Sequence, residues 1–343
     1  MSQAADAPND LTLRRGLLPY PLAKSFVTVL GSLIVLILIS LVFAPSAVSL
    51  GALKGSLPFA CLVALVGLGQ LLVVQQGGFD LSVAGSVSLA VVVSTHYPNG
   101  DNAQLLPAVL IAFGFALVAG LVNGFLVGFV QLNAIIATIG TNALLYGMVF
   151  VVSGGVPRIT TSLLAQIAGG QTFGIPHAVF FLLVVLAVVT FVLKKTVVGR
   201  RFEAIGANPL AARAVGLNVR THQMMAYVCA QLLCCLAGIL LAGITREPTA
   251  FQGDPLLLPS VAVVVLGGKS LLGGRGFPVS TVIAALFLNQ LSQFALAVGV
   301  PYSAQTIIQA LALGFGIAVY SVQWTRNPTK TATKEEPSEL QAL

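Results

Sequence analysis

The chain has 343 residues, of which 57% are hydrophobic and only 8% charged, with a formal net charge of +7. A water-soluble domain carries about 25% charged residues, so this composition excludes one and places the protein in a membrane. The positive balance does not point to nucleic acid. The basic residues gather in polar stretches between apolar runs and at the two ends, where membrane orientation accounts for them.

Taken in order, residues 1–24 are polar and basic (Arg14, Arg15, Lys24) and read as a cytoplasmic lead. The run from Phe26 to Phe43 is long for a cleavable signal core, and no small-residue cleavage site follows before Lys54, so it reads as a retained span. Apolar runs long enough to cross a hydrocarbon core, about 20 residues each, then recur. They fall near 25–43, 56–76, 81–97, 105–130, 134–153, 176–193, 221–243, 257–271, 276–297 and 303–322. The expected fold class is all-α: a polytopic membrane protein of about ten helices over 25–322, with 257–271 short enough to be re-entrant. Residues 323–343 form a polar tail, expected to be disordered and cytoplasmic.

Ten spans put both termini on one side. Fourteen of the seventeen Lys and Arg residues fall on that side, including six in 194–220; Lys54, Arg158 and Arg246 fall on the other. The positive-inside rule then makes the termini and 194–220 cytoplasmic, with 154–175 the longest outside connection. Gly120, Gly124 and Gly128 repeat every four residues, as do Ala310, Gly314 and Ala318. That spacing lets helix backbones approach closely in lipid. The four cysteines (Cys61, Cys229, Cys234, Cys235) lie in apolar runs and no histidine joins them, so they read as small buried hydrophobes and no metal site is expected.

Residues 194–220 are the one long polar interruption between two apolar blocks, with six basic residues against Glu203. A short helix is written into this loop. Asn208 suits the N-cap, Pro209 the first helical position and Gly216 the stop. Such a helix is too short and too polar to span a bilayer. It is expected on the cytoplasmic face, open to a partner, although the same charges also serve simply to set topology. Glu203, Gly206, Asn208, Arg213 and Gly216 are the candidate coupling residues.

Two glycine-rich breaks lie at similar places in the two halves, GGFDLSVAGS (77–86) and GGKSLLGGRG (267–276). Paired interruptions point to a transport pathway, because unwound backbone survives at membrane depth only beside a cavity or inside protein. Gly77, Gly78, Asp80 and Ser82 are therefore pathway or gate candidates. Asp80 is also placed to cap the third span, and the two roles are compatible. The string GGKS is not a phosphate loop: the first glycine of that motif would fall at Val263, inside a membrane run. Two pairs of amides, Asn289 with Gln293 and Gln305 with Gln309, sit four residues apart in the last two spans. Each pair shares a helix face. Amides donate and accept like sugar hydroxyls, so they are candidates for the path of a neutral solute, or equally for bonds between helices.

Four stretches in order carry a family resemblance: GGFDLSVAGS (77–86), ATIGTNALLYG (137–147), GRRFEAIGANPLAARAVGLNV (199–219) and VAVVVLGGKSLLGGRG (261–276). Together they resemble the ribose/xylose/arabinose-type sugar permeases of bacterial ATP-binding cassette importers, whose superfamily includes branched-chain amino-acid permeases. The resemblance implies a ten-helix fold of the vitamin-B12-importer type. It also implies a second permease subunit, identical or paired, a cytoplasmic ATPase docking on 194–220, and an extracytoplasmic sugar-binding protein. Two positions depart from the family pattern. Tyr146 stands where an Arg is usual, and DPLLLPSV (254–261) replaces an E-L-D-A-I-A stretch.

The function expected is translocation of a small neutral sugar, pentose or hexose, by a permease subunit embedded in membrane lipid. Other solutes, such as a branched-chain amino acid or a nucleoside, and an ion-coupled secondary transporter are the competing readings. No catalytic constellation is evident. ATP and Mg are expected on the partner ATPase, with no cofactor in this chain.

Overall fold

The computed structural model describes residues 24–268 and 273–301, and six positions between 304 and 314. Helix follows helix: α1 (Lys24–Phe43), α2 (Leu50–Gln75), α3 (Val83–His96), α4 (Leu105–Gly128), α5 (Ala134–Ser153), α6 (Ser162–Gly169), α7 (His177–Lys195), α8 (Val197–Ala207), α9 (Pro209–Ala214), α10 (Val219–Thr245), α11 (Asp254–Leu266) and α12 (Pro278–Ala297). The only strands among the described residues form a two-residue ladder, Gln171–Thr172 against Ile175–Pro176. Seven helices are long and apolar enough to cross a membrane: α1, α2, α4, α5, α7, α10 and α12. Most of the tenth expected span, and the tail, lie outside the described residues, including Ala318 of the second small-residue repeat.

Two expected spans are shorter than their apolar runs. The run 81–97 yields α3 of 14 residues, and 257–271 yields α11 of 13. At 1.5 Å per residue each is about 20 Å long, less than the roughly 30 Å of hydrocarbon. For α3 the remaining distance is covered by residues 78–82, which are not helical.

The helix α10 is the hub, packing on α4, α2 and α3. Its contact with α4 is the stripe of glycines. A Cβ on Gly120 would lie 2.6 Å from Val228 Cα, and one on Gly124 would lie 2.7 Å from Met224 Cα. The two backbones therefore touch, as small residues at that spacing allow. Every residue of α3 from Val83 to Thr95 is buried. Outward faces of α1, α4, α5 and α7 are apolar, with Phe43 74%, Ile136 70% and Val151 79% exposed, as helices bordered by lipid require. The four cysteines are unpaired thiols, three of them buried.

The connection 154–175 is more structured than its sequence suggests. Thr161 caps α6, accepting from Leu164 N–H at 3.2 Å. Gly243 of α10 packs against the Leu164 carbonyl and Ala168, which fixes α6 across that end of the bundle.

A candidate coupling and translocation site

The polar loop 194–220 folds into two helices, one more than expected. The Thr196 side chain caps α8, accepting from Gly199 N–H at 3.1 Å. Asn208 then caps α9, accepting from Ala211 N–H at 3.0 Å, with Pro209 at the first helical position. Gly216 takes φ +83 just beyond the helix, a conformation that favours glycine. Phe202, Ile205 and Gly206 of α8 face inward, while Arg200, Arg201, Leu210, Arg213 and Val215 are exposed. Glu203 pairs with Lys194 at 2.6 Å and lies 4.0 Å from the Nε of Arg275.

The inner side of α8 meets the second glycine break and the two residues that lead into the first. Gln76 Nε2 donates to the Phe202 carbonyl at 2.9 Å. Gly274 N–H donates to the Gln75 carbonyl at 3.1 Å. Gly206 is wedged between these chains. A Cβ there would overlap the Gln75 carbonyl oxygen and lie 3.2 Å from Gly274 N. A Cβ on Gly273 would in turn come 2.6 Å from the Gly206 carbonyl oxygen. The first break, the second break and the surface helix thus form one junction at the end of α2. Of the residues 267–276, Lys269, Ser270, Leu271 and Leu272 lie outside the described residues.

From Gly78 the chain runs into a buried polar knot. Asp80 is fully buried. Its Oδ1 accepts from Ser82 N–H at 2.9 Å and Ser82 Oγ at 2.5 Å, and its Oδ2 accepts from Gln231 Nε2 at 2.7 Å. Asn123 Nδ2 donates to Ser82 Oγ at 2.8 Å, as does Gln231 Nε2 at 2.7 Å. With its amide turned to satisfy both groups, Gln70 donates to the Asp80 carbonyl at 3.1 Å and accepts from Asp80 N–H at 3.3 Å. Leu81 N–H donates to Thr138 Oγ1 at 3.0 Å, and Gly85 N–H to Asn142 Oδ1 at 2.8 Å. The N-cap position of α3 belongs to Ser82, which makes no side-chain cap bond. Asp80, the expected cap, therefore acts two residues upstream of the observed one. It folds the chain onto Ser82 and ties that turn to α10.

The amides of the last spans are not part of this knot. Asn289 and Gln293 are half-buried on α12, which packs on α1, α2 and α11. Gln305 donates to the Val300 carbonyl at 2.9 Å, close in its own chain. Gln309 lies outside the described residues. Sequence reasoning missed Gln70, Asn123 and Gln231. The available signal was an amide in the interior of each apolar run, since polar side chains at that depth face the bundle interior. A groove of about 500 Å3 between α2, α7, α8 and α10 is lined by apolar side chains such as Val185, Val189 and Leu233. Its chemistry suits lipid chains, not a polar solute. Among the described residues no group of His, Cys, Asp and Glu is arranged to hold a metal.

A family model described as the permease component of the branched-chain amino acid transport system matches residues 52–319. The chain is 31% identical to a Sinorhizobium fredii protein named as a probable ABC transporter permease, y4mJ, over 93% of this chain and 95% of that one. It is 32% identical to the ribose import permease RbsC of Escherichia coli K12, over 84% of this chain and 91% of the other. It is 29% identical to the galactose/methyl galactoside import permease MglC of the same organism, over 88% and 98%. No solved structure matches the chain.

Proposed function

The chain belongs to the family of branched-chain amino acid transport system permease components, and within that family we propose that it is the membrane-spanning subunit of an ATP-driven importer for a small neutral sugar. The observation that carries the transport reading is the junction of α8 with the second glycine break and the two residues that lead into the first. A surface helix placed there is a lever: displacing it moves the Gln75 and Phe202 carbonyl contacts, and through Gly78 the Asp80 turn. The driving subunit is a separate cytoplasmic ATPase. Its docking surface is the exposed side of α8 and α9, with Leu210 and Val215 each 77% exposed among Arg200, Arg201 and Arg213. The fourteen-to-three division of basic residues supports a cytoplasmic position for these helices.

The sugar assignment rests on the relatives named as ribose, galactose and galactofuranose permeases. Solute delivery by an extracytoplasmic binding protein and pairing with a second permease subunit complete the proposed assembly. Asp80 itself is enclosed by its own hydrogen bonds and offers little to ion coupling. The test is uptake of radiolabelled ribose, galactose and leucine by cells with and without the partner ATPase. Sugar uptake that stops when the ATPase is deleted is the expected result. Uptake surviving the deletion, or uptake of leucine alone, overturns the reading.

A further inference from the structure

Asp254, the first residue of α11, is exposed, and the phenol of Tyr146 on α5 donates a hydrogen bond to its Oδ1. Phe251 stands over the pair. Its ring centroid is 5.2 Å from Tyr146 at 83° and 5.1 Å from Phe150 at 64°. Asn142 lies one turn below Tyr146 on the same side of α5, its Oδ1 already accepting from Gly85 N–H. The segment before α11 is pinned in place. Gly253 N–H donates to Ser88 Oγ at 3.0 Å, and a Cβ on Gly253 would run into the Ala84 carbonyl of α3.

Depth decides what this group faces. Tyr146 is thirteen residues past the α5 N-cap Asn133 and eight before its C-cap Gly154, about 20 Å and 12 Å along the helix. The carboxylate is therefore well inside the hydrocarbon layer. A carboxylate exposed there and turned to lipid is costly, so this face borders water or protein. Its chemistry is specific. One carboxylate oxygen is used by Tyr146, leaving the other free to accept hydroxyl protons. The aromatic faces carry the negative side of a quadrupole and suit the polarised C–H face of a sugar ring. A zwitterionic amino acid would need a cation for its own carboxylate, and α3, α5 and α11 contain no Lys or Arg.

We propose that Tyr146, Phe150, Phe251 and Asp254 form a solute-contact face of the translocation path, selective for a neutral hydroxylated ring. This rests on the sugar-importer reading above and locates the contact away from the amides of α12. The experiment uses the complete transporter in proteoliposomes, with radiolabelled ribose and galactose delivered by the binding protein and leucine as the amino-acid probe. Because the binding protein sets the apparent affinity, the readout is solute moved per ATP hydrolysed. Asp254→Asn and Phe251→Leu should lower that ratio about tenfold, the scale of one hydrogen bond to a charged group. Binding-protein-stimulated ATPase activity should stay within about twofold of wild type. Tyr146→Phe keeps the ring and removes only the phenol, so it answers the question if Asp254→Asn assembles poorly. A wild-type ratio in all three variants overturns the contact face while leaving sugar transport standing. So does loss of uptake with separation of the permease pair, measured by light scattering, because the cluster is then a subunit contact. Wild-type transport of leucine and neither sugar overturns the importer reading itself.

Discussion

Gly206→Ala tests the junction directly. The added methyl overlaps the Gln75 carbonyl oxygen and comes 3.2 Å from Gly274 N, the acceptor and donor of one hydrogen bond. Neither neighbour is a flexible side-chain end, so α8 must move off the break. Losing that bond and leaving a buried carbonyl unpaired costs about 1–3 kcal/mol. Alanine returns about 0.5–1 kcal/mol of helix propensity. The net loss, about 0.5–2 kcal/mol, is small enough for the protein to insert and fold. We expect a modest fall in melting temperature in detergent but at least a tenfold loss of uptake in proteoliposomes. Gly100→Ala, in the turn after α3 and away from the coupling loop, is the control. It carries φ +85 and a Cβ there meets nothing within 4 Å, so it suffers only the left-handed backbone strain, about 1–2 kcal/mol. Equal stability loss with different transport loss is the signature sought. Wild-type uptake by Gly206→Ala, or an equal defect in Gly100→Ala, refutes the argument that the contact transmits motion.

Topology is checked with single cysteines in a background lacking the four native ones. Arg213→Cys should resist a membrane-impermeant thiol reagent in intact cells and Phe173→Cys, at a position 98% exposed, should react; the reverse pattern inverts the proposed orientation. In the polar knot, Asp80→Asn keeps the Oδ1 acceptor, and Gln231 can turn its unpartnered Oε1 toward the new amide only by giving up its bond to Ser82 Oγ, at a cost of about 1 kcal/mol. Asp80→Ala strands the Ser82 and Gln231 donors and should cost about 3–5 kcal/mol. Melting curves that rank the two variants equally would count against the knot as drawn.

What was legible in the sequence was local. The cap of α9 is carried by Asn208, Pro209 and Gly216 within nine residues, and it forms as expected. The glycine stripe of α4 likewise needs only its own spacing. The helix α8 escaped because VVGRRFEAIGA reads as a charged loop. Its helical signal is the three-residue spacing of Phe202 and Ile205, which are buried against a surface the sequence does not reveal. The shortness of α3 escaped for a different reason. Apolar residues continue through Phe79 and Leu81, so hydropathy cannot tell unwound chain from helix. The turn is set by Gln70 together with Asn123 and Gln231, and the last two lie far from Asp80 in sequence. Tyr146 and Asp254 were visible as departures from the family pattern, but their pairing across 108 positions was not.

The breaks also show what kind of motion is available. At the first break, Thr138, Asn142, Asn123 and Gln231 each supply a bond to residues 80–85 from α5, α4 and α10. Unwound backbone at this depth has no water to fall back on, so it cannot drift continuously; it must exchange one set of partners for another. The junction beside it holds groups ready for such an exchange. Among the described residues, both side-chain polar atoms of Gln75 and the Oε1 of Gln76 are buried without a partner, each costing about 1–3 kcal/mol. These three atoms sit together where α8 meets the end of α2, and Asn123 Oδ1 and Gln231 Oε1 are left without a partner in the knot beside it. A conformation that pairs those atoms recovers that cost, which narrows the free-energy gap the ATPase must bridge at that joint.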